Sequence, residues 1–201
     1  MGKIVLHASM SLDGYTAGPN VDLERPMGEG GMWLHEWLFA DPIDPVDAMV
    51  SGAMYDRCRV GAVLMGRRHF DVGVDHWCAD GTFDMPCFVV THRGAPVMVK
   101  GQTRFEFVTG GIEEAVGRAR VAAGHLDINV MGADLARQLL MAGLINEISV
   151  NIVPILLGGG ASLFGGLRAG QVEFEQLSAA CLLYTSPSPR DRTRSRMPSS
   201  A

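Results

Sequence analysis

The stretch from Ile128 to Gly160, I-N-V-M-G-A-D-L-A-R-Q-L-L-M-A-G-L-I-N-E-I-S-V-N-I-V-P-I-L-L-G-G-G, constrains the fold more than any other part of the chain. An apolar run from Ile128 to Met131 breaks at Gly132. Leu135, Ala136, Leu139 and Leu140 then recur at helical spacing until Gly143, and a β-rich run from Ile148 to Ile155 ends in three glycines. Strand, glycine turn, helix, strand is the unit that aims backbone N–H groups and a helix N-terminus at a phosphate.

The rest of the chain repeats the alternation. Lys3–Ala8, Val60–Met65, Cys87–Thr91, Phe105–Val108 and Val172–Leu177 read as strands. Helices are predicted over Trp33–Phe39, Val46–Arg57 and Glu113–Ala123. In the first of these, α-helical spacing puts Trp33, Leu34, Trp37 and Leu38 on one face, with His35 and Glu36 elsewhere. Strands alternating with helices predict an α/β fold with a mainly parallel sheet.

Composition limits the partners. A net charge of −5 over 201 residues argues against a nucleic-acid-binding body, which needs clustered Lys and Arg. Four cysteines without C-x-x-C or metal-ligand spacing read as inert thiols, and no metal site is expected; His69, His76 and His125 read as incidental. No apolar run approaches a membrane span of about 18 residues, and no signal-peptide pattern opens the chain, so a cytoplasmic protein is expected.

From Tyr184 the chain becomes T-S-P-S-P-R-D-R-T-R-S-R-M-P-S-S-A. Four arginines against one aspartate give it a charge of +3, leaving −8 on the rest. It has no apolar periodicity with which to offset ordering entropy. We read residues 1–181 as one domain and 182–201 as a disordered tail of foreign character. An RNA-binding arginine tail is the rival reading, opposed by the acidic body.

Three strand ends deliver glycine or basic residues: Gly66-Arg67-Arg68, Thr91-His92-Arg93-Gly94 and Gly132-Ala133-Asp134. Ligands of open α/β sheets sit outside the carboxyl ends of the strands, so these groups are expected to share one crevice. Gly132 would admit a pyrophosphate closely, and Arg67, Arg68 and Arg93 suit a further phosphate. Asp134 beside such a site is unfavourable unless its side chain caps the helix.

These segments, together with M-S-L-D-G-Y (Met10–Tyr15), V-L-M-G-R-R-H-F (Val63–Phe70) and V-V-T-H-R (Val89–Arg93), resemble the dihydrofolate reductase-like proteins. The resemblance is to the branch related to the riboflavin-biosynthesis reductase domain, and it covers roughly residues 3 to 178. It implies a three-layer fold with a central, mainly parallel sheet flanked by helices, and hydride transfer from NADPH to a small pterin- or pyrimidine-like heterocycle or carbonyl substrate. By that likeness Gly66, Arg67, Arg68, Thr91, His92, Arg93, Gly132, Ala133, Asp134, Leu135 and Ala136 contact the cofactor. The loop of Leu12, Asp13 and Gly14, with Ala17, would cover its nicotinamide.

The chain also departs from the pattern. Glu36 is the nearest candidate for the acid that binds a pterin, and Val130 stands where the riboflavin-pathway reductases carry a glutamate. Asp13 and Glu36 are the candidate catalytic residues; Asp13, Trp33 and Trp37 are the candidate substrate contacts. A non-catalytic nucleotide-binding or regulatory module on the same fold is the alternative. The expected partner is a small molecule, not nucleic acid or membrane, with a homodimer possible. Deleting residues 185–201 should change stability by no more than the roughly ±0.5 kcal/mol of a surface change, measured by thermal denaturation. A larger loss would mean that the tail is docked.

Overall fold

A computed structural model describes residues 2–39, 45, 48–49, 52, 58–77, 79, 83–168, 170 and 172–179. Most of the expected helix over Val46–Arg57 and the whole tail lie outside these residues. Seven strands form one sheet: β1 (Ile4–Ser11), β2 (Val60–Gly66), β3 (Pro86–Val90), β4 (Met98–Lys100), β5 (Thr103–Val108), β6 (Asp127–Met131) and β7 (Glu147–Val153). Their spatial order is β4-β5-β3-β2-β6-β1-β7. Every pairing is parallel except that of β4 with β5. The α/β expectation holds, and β4 is an addition that its three residues were too short to announce.

The central strands are apolar because both of their faces are covered. Leu6 pairs with Val130 of β6, and Val130 with Leu64 of β2. On one side, Ile4, Leu6, Leu64, Phe88 and Val130 pack beneath helices α2 (Gly111–Ala123) and α3 (Ala133–Met141). Helix α2 buries Ala115, Val116, Ala119 and Ala123, and these small side chains let it lie close to the sheet. Glu113 and Glu114 in its first turn and Arg120 in its last complement its dipole. Helix α3 buries Leu135, Ala136, Leu139 and Leu140 and ends at Gly143. There φ is 66°, and the N–H groups of Gly143 and Leu144 return to the carbonyls of Leu140 and Leu139. This is the glycine stop that the sequence announces.

The opposite face carries an aromatic cluster. Phe70 of helix α1 (Arg67–Gly73) lies edge-on to Phe105 at 5.2 Å and to Phe107 at 5.1 Å, and Trp77 stacks on Phe105 at 5.6 Å. The short helix that follows Gly66 is thus held to the sheet by one buried ring.

Two expectations are corrected here. Val172–Leu177 forms no strand. Its alternation of apolar and polar residues is real, but Phe174 and Leu177 are 61% and 70% exposed, and without a neighbouring ladder an extended segment does not become a strand. Trp33–Phe39 lies within a 3₁₀ helix, Gly31–Phe39, not an α-helix. At three residues per turn the buried stripe is Gly31, Leu34 and Trp37. Trp33, which α-helical spacing placed inward, is 50% exposed.

Because Phe70 is the one buried side chain of α1, Phe70→Ala should cost about 3–5 kcal/mol. Denaturant unfolding of the wild type and variant would measure it. A loss below about 1 kcal/mol would show that α1 is held by other contacts.

Candidate active site

Parallel pairing brings the carboxyl ends of β1, β2, β3 and β6 to one edge of the sheet. A cleft of about 1210 Å³ opens there. It exceeds the roughly 300–1,000 Å³ of an ordinary small-molecule pocket, so it has room for a dinucleotide and a second small molecule. Gly66, Arg67, Arg68, Thr91, His92, Arg93, Gly132, Ala133, Asp134, Leu135 and Ala17 all line it. The three strand-end segments therefore converge as their positions in the sequence predicted.

Gly132 is the pivot of the glycine turn. Its φ of 92° strains any side-chain-bearing residue, and an added Cβ would stand 3.3 Å from the Cβ of His69. No side chain caps α3, so the N–H groups of its first turn remain available to a ligand. Asp134 does not cap the helix; it pairs with Arg137, which also donates to the Ser162 carbonyl. That pairing offsets the carboxylate that would otherwise repel a phosphate. Helix α2 also opens on the cleft through Thr109 and Gly111, but Glu113 and Glu114 already answer its dipole. The first turn of α3 is the better anion site.

The arginine cluster is less free than the sequence implied. Arg67 donates from Nε to Asp71 at 2.7 Å and lies over the Phe107 ring at 5.3 Å. Arg93 approaches the same carboxylate at 4.0 Å, and its side chain is 78% exposed. Arg68 donates to the Val21 carbonyl at 3.4 Å. Asp71 thus links the β2 and β3 ends. The i,i+4 spacing of Arg67 and Asp71 carried this signal.

One wall is made by two loops knitted together. Thr16 donates to the Ala161 carbonyl at 2.8 Å, and Ala161 to that of Ala17 at 3.0 Å. Asp13 belongs to this seam. It accepts from Ser11 Oγ at 2.5 Å and from the N–H groups of Leu157 and Gly158 at 3.1 and 2.7 Å. The Ser11 hydroxyl first, then those backbone donors, hold its carboxyl below the usual range. Asp13 and Gly14 do not line the cleft; the aspartate ties the loop instead of facing a substrate.

The other substrate candidates are also displaced. Trp37 is buried, and its indole N–H bonds the Leu34 carbonyl at 2.9 Å and Ser9 Oγ at 3.1 Å. Trp33 and Glu36 are exposed and do not line the cleft, although Phe39, one turn further on, does. Ala136 is buried under the sheet and packs rather than contacts a ligand. The third stripe of that helix, His35 with Leu38, faces the cleft instead. His69 and His7 line it too, so His69 is not incidental. Burial, and secondarily the charge His35 would carry, push His69 down to about 4. Burial lowers His35, against a weaker opposing pull from the Gly31 carbonyl, and it lowers His7 as well. Among the described residues no cluster could hold a metal ion, and no helix is long and apolar enough to cross a membrane.

Comparison with known proteins follows this geometry. The chain is similar to a protein of Shewanella sp. PV-4 described with riboflavin biosynthesis: 27% identity, 83% of this chain and 85% of that one, TM-score 0.63. It shares the fold of a diaminohydroxyphosphoribosylaminopyrimidine deaminase/5-amino-6-(5-phosphoribosylamino)uracil reductase from Thermotoga maritima. That likeness is at 12% identity and TM-score 0.55, over 86% of this chain and 50% of the other. No curated protein matches the sequence. Residues 2–182 match the RibD C-terminal domain, and the mainly parallel α/β sheet agrees with that match: the chain belongs to the RibD C-terminal domain family.

Proposed function

We propose that the protein is an NADPH-dependent reductase acting on a small pterin- or pyrimidine-like heterocycle or carbonyl compound. The observation that carries this reading is a single cleft that brings the Gly132 turn, the uncapped first turn of α3 and the arginines together with uncharged and apolar groups. Membership of the RibD C-terminal domain family, and relatives named for riboflavin biosynthesis and uracil reduction, support it.

The residues fit the cofactor. Gly132, Ala133 and the N–H groups beginning α3 would hold the pyrophosphate, and Arg67, Arg68 and Arg93 a further phosphate. Thr91 and His92 would flank the adenosine, and Ala17, which lines the cleft from the neighbouring loop, would border the nicotinamide. When bound, the cofactor supplies a hydride for an electrophilic carbon. The chain's own work is to orient the two molecules and exclude water, with Leu38, Val72 and Met131 as apolar walls. Among the described residues the one carboxylate lining the cleft, Asp134, is paired with Arg137, so no carboxylic acid serves the acceptor. That same lack would suit a non-catalytic nucleotide-binding module, which would bind the cofactor without oxidising it. The reading is of a cytoplasmic enzyme acting on a small molecule.

A charge-assisted contact to a 2′-phosphate is worth about 1.5–3 kcal/mol, or one to two decades of affinity. Since Asp71 already engages Arg67 and approaches Arg93, we expect about tenfold preference for NADPH over NADH. Arg93→Ala should erase most of it. Fluorescence titration decides the matter, and equal affinity or no binding in the wild type refutes the assignment. With dihydrofolate, turnover should fall well below the usual enzyme range of roughly 1–10³ per second, because no acid stands ready for the pterin. Ordinary turnover in a coupled absorbance assay would refute that expectation.

A further inference from the structure

The carboxylate of Asp71 sits between two arginines that line the cleft from neighbouring strand ends. Gly66, which precedes α1, pairs with Val90 at the end of β3, so Arg67 and Arg93 leave the sheet close together. Asp71, one turn along α1 from Arg67, accepts from its Nε at 2.7 Å and lies 4.0 Å from Nη2 of Arg93. Arg67 is held twice more. Its Nη1 donates to the Arg93 carbonyl at 3.5 Å, and its guanidinium lies over the Phe107 ring of β5 at 5.3 Å. Both arginines line the cleft, whereas Asp71 stands behind them.

Two effects of that carboxylate oppose one another. As an acceptor it helps to orient Arg67 towards an anion. As a charge it competes with the anion for both guanidinium groups and repels it directly. Geometry decides which effect is larger. The Phe107 ring and the Arg93 carbonyl also fix the plane of Arg67, so its orientation does not depend on the charge of Asp71. Arg93 is 78% exposed and 4.0 Å away, too far for a hydrogen bond, so Asp71 acts on it through charge alone. The restraining effect is the larger.

We propose that Asp71 is a positioning residue that restrains the discrimination between NADPH and NADH. It holds Arg67 in place while partly neutralising Arg67 and Arg93, so that a 2′-phosphate gains only a modest advantage. The proposal rests on the reading of this cleft as an NADPH site. It goes further by assigning the tuning of that site to a residue that does not line it.

Fluorescence titration of the full-length chain with NADPH and with NADH tests it. Asp71→Asn keeps an oxygen acceptor for Arg67 Nε and removes the charge. It should raise the NADPH-to-NADH affinity ratio about three- to fivefold, the scale of one partly exposed charge pair, and leave the NADH affinity unchanged. Asp71→Glu, which keeps the charge, should keep the wild-type ratio. The gain in the Asn variant should shrink at high salt, where exposed charges are screened. Circular dichroism and thermal melting establish that each variant is folded. Should Asp71→Asn not fold, Asp71→Ser supplies the neutral comparison. An unchanged or lowered ratio in the neutral variant overturns the proposal and leaves the NADPH reading intact. So does an equal gain for both cofactors, or a rise in Asp71→Glu that matches the rise in Asp71→Asn. Equal wild-type affinities would refute the NADPH preference separately, while the ratio in the neutral variant would still decide the role of Asp71. Binding of neither cofactor by the wild type removes the reductase reading and this proposal together.

Discussion

The parallel hydrogen-bond ladder of β1, β6 and β2 is the interaction on which everything else depends. Parallel neighbours place all their carboxyl ends on one edge, so residues far apart in the chain are delivered to the same place. Gly66, Thr91 and Gly132 meet because Leu64 pairs with both Phe88 and Val130, and Leu6 with Val130. The crossover helices cover both faces of the sheet, which is why its central strands are mostly apolar. A slip of one residue in β6 would carry Ile128 and Val130 away from the face under α2 and α3 and remove Gly132 from the edge.

Within that frame, electrostatics divide the cleft. The chain as a whole is acidic, at −5, yet the cleft is lined by four arginines and one paired carboxylate. Such a basic recess in an acidic surface concentrates anions where the glycine turn presents backbone donors. Asp71 moderates this by engaging Arg67 and approaching Arg93. It pins the guanidinium groups in place and weakens their combined field, so the arginine count overstates the positive potential available to a ligand.

The part of the cleft beside the 3₁₀ helix is governed by a change of helical period. At 3.6 residues per turn the tryptophans would share an inward face; at three per turn the inward stripe is Gly31, Leu34 and Trp37. The cleft-facing stripe then becomes His35 and Leu38. Trp37 is fixed to Ser9 and the Leu34 carbonyl, which orients the whole segment and leaves His35 facing the cavity. In place of the two candidate tryptophans, this helix contributes His35, Leu38 and Phe39 to the cleft.

The sequence by itself determined the alternation of strands and helices, the glycine turn before α3, the Gly143 stop and the strand-end residues that line the cleft. These are local matters: periodicity, positive-φ glycines and turn chemistry act over a few neighbouring residues. Only the tertiary structure decided that Asp13 bonds Leu157 and Gly158, that Val172–Leu177 lacks a strand neighbour, and that His35 joins His69. Each depends on partners distant in the chain, brought together only when the sheet is assembled. Even the Arg67–Asp71 pair, visible in the spacing, acquired its meaning from Arg93 on the next strand. Local preference selects the elements; the docking of distant segments selects which side chains face the ligand.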